Sequence, residues 1–165
     1  MPGAVVLGLG NPLMRDDGIG LAALERLRED WEPGPDVELV DGGTWGMNLL
    51  PVIEDADALI LLDAVNAGVE AGSALVLERD EVPRFLGLKL SPHQIDLREV
   101  LALADLRGTL PARTVVFGVQ PAVVAAGMGL TPRVAAAVDI VVRRTAERLV
   151  SWGYRCDPIW AAANA

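Results

Sequence analysis

The sequence predicts an α/β protein of three layers, in which a mainly parallel sheet of about five strands lies between two layers of helices. Two observations support this α/β/α prediction. Short apolar runs, which are typical of strands, alternate with longer segments whose apolar residues recur at helical spacing. Most of the strand-like runs are too apolar to have a solvated face, which is typical of parallel strands that helices cover on both sides.

The first half of the predicted sheet begins with a strand over Val5–Leu9, a short apolar run next to glycines. A second strand, "VELVDGGT", ends at Asp41. Between them, apolar residues at helical spacing predict an amphipathic helix. Its apolar positions are Gly20, Ala23, Leu24 and Leu27. The segment "WGMNLLPVIEDA" predicts a short helix that Pro51 breaks or kinks.

The second half of the sheet starts with Asp57–Val65, the most apolar stretch of the chain, which we predict as a central strand. Ser73–Asp80 is another strand-like run and follows without an intervening helix. We therefore expect this strand to be antiparallel and to lie at an edge of the sheet. Arg113–Val119 predicts a fifth strand.

Two further helices are predicted around the fifth strand. The first has an apolar face at Leu97, Val100, Leu101 and Ala104. The second covers "LTPRVAAAVDIVVRRTAERLV", with Thr131 as the N-cap and Pro132 as the first helical residue.

The length of 165 residues fits one domain with a hydrophobic core of its own. We predict a single α/β domain over residues 1–150. Residues 151–165 show no hydrophobic period, and we predict a C-terminal tail there that is partly disordered.

Composition excludes several classes of partner. A net charge of −9 with a single lysine, Lys89, argues against nucleic-acid binding, because phosphate contacts require a clustered basic surface. No apolar run approaches the roughly 20 residues of a membrane-spanning helix. The N-terminus lacks the basic region of a signal peptide, so we expect a cytoplasmic protein. The single cysteine, Cys156, can form neither an internal disulfide nor a thiolate metal cluster.

Four aspartates follow the predicted strands at their carboxyl ends, where ligands bind in open α/β sheets. They are Asp16 and Asp17 after the first strand, Asp41 after the second and Asp63 after the third. Taken singly, each could cap a loop or stabilise a helix N-terminus. Two adjacent carboxylates in a partly buried crevice, however, favour a site that a cation shares. The pair therefore indicates metal recognition.

The only histidine, His93, lies in "SPHQIDL", where Ser91 and Gln94 could form a capping box at a helix start. The helix dipole there disfavours protonation of the imidazole, and a neutral imidazole is the form that binds a divalent metal. A histidine that merely forms hydrogen bonds at a helix start is the alternative. One imidazole with two carboxylates and open positions suits zinc or nickel.

The loop "GLGNPL" offers two glycines of the dinucleotide-binding pattern, but Leu13 stands at the third position. Carboxylates also crowd the place of a pyrophosphate. We therefore assign to Gly8 and Gly10 the role of allowing a tight turn, and dinucleotide binding stays an alternative.

Six motifs in order resemble those of the hydrogenase maturation endopeptidases: "GLGNPLMRDDGIG", "VELVDGGTWGMNLL", "LILLDAV", "SPHQIDLREVL", "VFGVQP" and "GLTP". The resemblance covers the chain from the first strand to the last helix. It implies a cytoplasmic, monomeric protease that removes a C-terminal extension from the precursor of the nickel-containing hydrogenase large subunit, after nickel insertion.

The resemblance also implies roles for single residues. Asp17, Asp63 and His93 match the metal-contacting positions, although some relatives have Glu in place of Asp17. Asp41 matches a residue suspected of helping cleavage, and Asp41 or Asp16 could be the general base. We expect nickel to arrive with the precursor. A resident zinc hydrolase and a noncatalytic, nickel-dependent checkpoint or chaperone for the large subunit are the alternatives.

Overall fold

A computed structural model describes residues 3–43, 48–88 and 95–160. Its main sheet has five strands in the spatial order β3-β1-β4-β6-β5. Four strands are parallel, and β5 is antiparallel at one edge. The predicted sheet is therefore confirmed, including its antiparallel edge strand. The strands are β1 Ala4–Gly8, β3 Val37–Asp41, β4 Ala58–Ala64, β5 Ala74–Glu78 and β6 Arg113–Val119.

Helices cover both faces of this sheet, which gives the predicted three layers. Buried side chains of α1, α5 and α6 pack on one face, and those of α2, α3 and α4 pack on the other. The central strand β4 is buried along its whole length because both layers cover it. The helices are α1 Ile19–Asp30, α2 Leu49–Asp55, α3 Val82–Leu88, α4 Ile95–Leu106, α5 Pro132–Ala136 and α6 Val138–Ser151.

The register of the parallel strands aligns their carboxyl ends. Gly8 of β1 lies opposite Asp41 of β3 on one side and opposite Leu62 of β4 on the other. The next residue of β4, Asp63, lies opposite Gly118 of β6. We call this border of the sheet the carboxyl edge and the opposite border the amino edge.

Two helix predictions need correction. Pro51 does not interrupt the short helix, because α2 begins only at Leu49 and the proline falls in its first turn. The first amides of a helix have no partner within the helix, so proline is tolerated there. The predicted last helix is divided into α5 and α6 at Ala137, where the backbone angles are φ −84° and ψ −11°.

Part of the predicted C-terminal tail forms regular structure. Cys156–Pro158 form strand β7, which pairs antiparallel with β2, Trp31–Pro33. The ring of Trp160 contacts that of Trp31 edge to face, with centroids 5.3 Å apart. Three-residue strands are too short to show a hydrophobic period. Residues 151–160 thus belong to the fold, and residues 161–165 lie outside the described residues.

Within the part of the chain that the structure describes, no helix has the length and apolar composition needed to span a membrane.

Candidate active site

The carboxyl edge gathers the four aspartates that the sequence singled out. Asp41 ends β3, and Asp63 is the penultimate residue of β4. Asp16 and Asp17 lie in a 3₁₀ turn, Arg15–Gly18, which leads into α1 and contacts β4. Three elements that are distant in sequence thus bring carboxylates to one edge of the sheet, as the sequence predicts.

Asp17 is held by the loop that follows β1. The backbone amide of Asn11 donates a hydrogen bond to Asp17 Oδ2 at 2.9 Å. Gly10 makes this approach possible, because its φ is +109° and a Cβ there would lie 1.9 Å from the Asp17 carbonyl oxygen. Asp17 is buried, so its carboxylate is desolvated and preorganised.

The start of α1 packs directly on the end of β4. A Cβ on Gly20 would lie 2.1 Å from the carbonyl oxygen of Leu62, the residue before Asp63. The same carbonyl accepts a hydrogen bond from the amide of Leu9 at 2.9 Å. These contacts fix the turn that carries Asp17 relative to the strand that carries Asp63.

Asp63 is buried at the carboxyl end of β4. Its Oδ1 accepts a hydrogen bond from the Ala64 amide at 2.8 Å. Side chains alternate along a strand, so Asp63 shares a face with Leu59 and Leu61, which pack against α2, α3 and α4. This carboxylate therefore lies on the side of the sheet that α4 covers.

Asp41 differs from the other three aspartates because it is exposed. Its Oδ1 accepts a hydrogen bond from the Gly43 amide at 2.9 Å. A Cβ on Gly43 would lie 3.2 Å from this Oδ1 and 3.2 Å from the carbonyl oxygen of Gly10. Asp41 thus borders the glycine loop that holds Asp17, and water can reach its carboxylate.

Asp16 binds a different segment from the other three aspartates. Its Oδ2 accepts hydrogen bonds from the amides of Ala122 and Val123, both at 2.9 Å, and from the Thr131 hydroxyl at 2.8 Å. Its Oδ1 accepts one from the Thr131 amide at 2.7 Å. Thr131 is the N-cap residue of α5 and Pro132 begins the helix, as predicted, but the Thr131 hydroxyl binds Asp16 and makes no side-chain capping hydrogen bond.

These four hydrogen bonds decide the protonation of Asp16. Burial by itself raises the pKa of the Asp16 carboxyl. The bonds from Val123, Thr131 and Ala122 favour the ionised form and outweigh burial, so the pKa lies below its ordinary value. Asp16 is therefore a buried carboxylate whose oxygens are already occupied by donors.

Gln120 is a site residue that the sequence analysis did not single out. It is buried just after β6, and its Oε1 accepts a hydrogen bond from the Ala67 amide at 2.8 Å. Its Nε2 donates to Asn66 Oδ1 at 3.1 Å. Gln120 therefore fixes the loop that follows Asp63. The sequence feature that could have indicated Gln120 is a glutamine directly after an apolar strand.

His93 lies outside the described residues, as do Ser91 and Gln94 of its predicted capping box. The helix that follows, α4, ends near the amino edge, because Arg107 and Thr109 just beyond it both contact Glu54 of α2. Across residues 3–43, 48–88 and 95–160, no three His, Cys, Asp or Glu side chains form a group that could hold a metal ion. The three-ligand set that includes His93 stays a prediction.

Comparisons with a family model and with known proteins point to the same family. The family model described as hydrogenase maturation protease matches residues 21–148. The hydrogenase expression/formation protein HupD of Rhodobacter capsulatus is 40% identical over 151 residues, covering 90% of this chain and 72% of the relative. The hydrogenase 2 maturation protease of Escherichia coli is 35% identical over 155 residues, covering 93% of this chain and 94% of the relative.

Similar solved structures come from proteins of the same family as these sequence relatives. The hydrogenase maturating endopeptidase HybD from Escherichia coli superposes with a TM-score of 0.89 at 33% identity, covering 96% of this chain and 99% of that chain. A [NiFe] hydrogenase maturation protease HybD from Thermococcus kodakarensis has a TM-score of 0.70 at 25% identity, covering 88% and 97%. The chain therefore belongs to the hydrogenase maturation protease family.

Proposed function

We propose that this protein is the endopeptidase that removes the C-terminal extension of a nickel-containing hydrogenase large-subunit precursor after nickel insertion. Family membership supports the peptidase activity and the hydrogenase client, since the relatives are named hydrogenase maturation proteases. The finer proposal is that Asp17, Asp63 and His93 recognise the nickel that the precursor already holds.

The observation that carries the metal proposal is the burial of Asp17 and Asp63 at the same edge of the sheet. Two desolvated carboxylates are unfavourable together unless a cation or strong donors compensate their charge. Carboxylate oxygens are suitable ligands for a divalent ion of the first transition row. The pair is therefore suited to receiving a metal that the substrate brings.

The direction of α4 supports a third ligand from His93. The helix is 12 residues long, or about 18 Å, and it ends near the amino edge. It therefore begins closer to the carboxyl edge, on the face to which Asp63 points. His93 precedes this start by two residues in the sequence.

Cleavage needs a general base for water, and the geometry favours Asp41 over Asp16. A base must be reached by water and must have a lone pair available for the proton. Asp41 is exposed, whereas Asp16 is fully buried and both of its oxygens accept hydrogen bonds. We assign to Asp41 the removal of a proton from the water that attacks the scissile carbonyl carbon.

In this step the water oxygen forms the new bond to the carbonyl carbon, and the carbon–nitrogen bond then breaks. The proton held by Asp41 passes to the leaving amine, so the products are a new carboxyl terminus and the released extension. Binding of the precursor through its nickel holds the scissile bond beside Asp41, which is the advantage of proximity.

The test is to mix the purified protein with nickel-loaded precursor and to measure the precursor mass. We expect shortening by wild type, no shortening by His93→Ala or Asp17→Ala, and no shortening of nickel-free precursor by any of them. Circular dichroism checks that the variants remain folded. Normal cleavage by His93→Ala would reject the metal-recognition proposal.

Two alternatives give different results in the same experiment. A resident zinc hydrolase would retain stoichiometric zinc after dialysis and would cleave without nickel in the precursor. A noncatalytic checkpoint or chaperone would bind nickel-loaded precursor and leave its mass unchanged. The proposed monomeric state and the cytoplasmic location are separate parts of the proposal, which sedimentation of the free protein and cell fractionation test.

A further inference from the structure

The segment 121–131 crosses the carboxyl edge beside the proposed site and is held from several directions. Asp16 binds its two ends through Ala122, Val123 and Thr131. In the middle, Met14 forms an isolated β-bridge with Gly127. The side chain of Arg15 also donates from Nε to the Gly129 carbonyl oxygen at 2.8 Å. The loop is therefore rigidly placed although it contains no helix or strand.

This rigid loop exposes apolar side chains. Met128 is 77% exposed, and Leu13, whose carbonyl oxygen accepts a hydrogen bond from the Gly127 amide at 2.9 Å, is 59% exposed. Val123 and Val124 at the start of the loop are exposed as well. We call Leu13, Val123, Val124 and Met128 the apolar loop surface. Clustered exposed apolar side chains are typical of protein interaction sites.

Residues that form or hold the apolar loop surface are close in sequence to residues of the proposed active site. Asp16, which holds the loop, is adjacent in sequence to Asp17, the predicted metal contact. Leu13 lies two residues after Asn11 in the sequence. The backbone amide of Asn11 donates a hydrogen bond to the Asp17 carboxylate. A precursor that brought a metal to Asp17 would therefore come close to this surface.

A groove continues the surface toward α1. It has a volume of about 290 Å³ and is lined by Pro12, Arg15, Gly18, Leu21, Ala22, Gly129 and Leu130. Leu21 also lies beside Gly43, because a Cβ on Gly43 would lie 3.7 Å from Leu21 Cδ1 and 3.2 Å from Asp41 Oδ1. The groove thus connects the loop to the strand end that carries the proposed general base.

We propose that the apolar loop surface docks the folded body of the hydrogenase large-subunit precursor, and that Asp16 positions the loop for this contact. The proposal rests on the proposed function, because that function makes the precursor the protein that must reach the carboxyl edge. It adds a contact that does not depend on nickel. The rigid loop reduces the ordering cost that a mobile loop would pay on binding.

The test measures the initial rate of precursor shortening against precursor concentration, using nickel-loaded precursor and mass spectrometry. The double variant Leu13→Glu/Met128→Glu places two charges on the surface without filling any core space. We expect its KM to rise by about tenfold or more with kcat little changed, as for loss of an apolar contact of moderate size. The conservative variant Met128→Leu should behave as wild type.

Leu106→Glu is the matched control, since Leu106 is 85% exposed at the end of α4, near the amino edge. It adds a charge at an exposed leucine away from the proposed site, so we expect no change in KM. Unchanged KM in the double variant, with normal cleavage by wild type, would overturn the docking proposal. Failure of wild type to shorten the precursor would instead overturn the proposed function.

Two further readouts identify the occupant. Binding of nickel-free precursor, measured by biolayer interferometry, should weaken in the double variant to a similar extent as KM rises. Sedimentation of the free protein should be the same for wild type and double variant. A change in oligomeric state with unchanged precursor binding would assign the surface to a second copy of this chain and would overturn the proposal.

Discussion

The hydroxyl of Thr131 donates a hydrogen bond of 2.8 Å to the carboxylate of Asp16, across 115 positions of the chain. This bond and the three backbone amides around it tie the turn before α1 to the loop before α5. One of the two adjacent aspartates therefore maintains the fold of the carboxyl edge. Its neighbour, Asp17, is the residue that we propose as the metal contact.

The first prediction concerns stability. Asp16→Asn should lower the free energy of unfolding by roughly 2–4 kcal/mol, because an amide nitrogen would face donors that now bind a charged acceptor. Urea unfolding measures the change. The control is Asp139→Asn, since Asp139 is an exposed partner of Arg26 and its loss should cost less than about 1 kcal/mol. Equal effects of the two substitutions would contradict the role assigned to Asp16.

The second prediction concerns pH. The pKa of Asp16 is lowered in the folded state from an ordinary value of 3.8. Its stabilisation is therefore fully present above this ordinary value and is lost as the pH falls through the lower pKa of the folded state. The stability difference between wild type and Asp16→Asn should be constant near neutral pH and shrink in acid. A difference that stays constant down to acid unfolding would refute this linkage.

The third prediction tests the general base. Asp41→Asn should lower kcat for precursor shortening by about 100-fold with KM little changed, because proton removal from water is lost while binding is kept. Stability should hardly change, since the side chain is exposed. Glu38→Gln is the control, because Glu38 is exposed on the same strand. A kcat of Asp41→Asn close to that of Glu38→Gln would remove Asp41 from the mechanism.

The fourth prediction concerns the loop that holds Asp17. Gly10→Ala should be strongly destabilising, because the new Cβ would overlap the Asp17 carbonyl oxygen at 1.9 Å in addition to the strain of φ +109°. Gly153→Ala is the matched control. Gly153 has φ +93° with nothing within 4 Å of the new Cβ, so strain acts there alone. Thermal unfolding should show a clearly larger loss for Gly10→Ala, together with loss of processing.

The fifth prediction concerns Cys156, to which we assign no functional role. Burial, with a smaller effect of the Asp157 charge, raises the pKa of its thiol to about 11. The reactive thiolate is therefore rare near neutral pH. Native protein should react very slowly with iodoacetamide, and unfolded protein should react rapidly, as measured by mass spectrometry. Fast labelling of the native protein would show that β7 opens readily.

The sequence indicated the architecture because the apolar composition of each short segment is enough to predict a strand. β4 is an apolar run with Asp63 as its one charged residue, and its central position was predicted from that apolar character. The antiparallel direction of β5 followed from the absence of a helix before it. The pairing of β2 with β7 was not predicted, because each strand has three residues and its partner is far away in the chain.

The amino-acid sequence by itself determined that carboxylates collect at one edge of a parallel sheet, since each follows an apolar strand at its carboxyl end. The resemblance implied a metal contact for Asp17 and left Asp16 as a possible general base. Only the tertiary structure showed that the Asp16 carboxylate is buried and that donors already occupy both of its oxygens. The distinction depends on which donors surround each carboxylate, and those of Asp16 come from residues more than 100 positions away. Such long-range hydrogen bonds leave no periodic signal in a sequence.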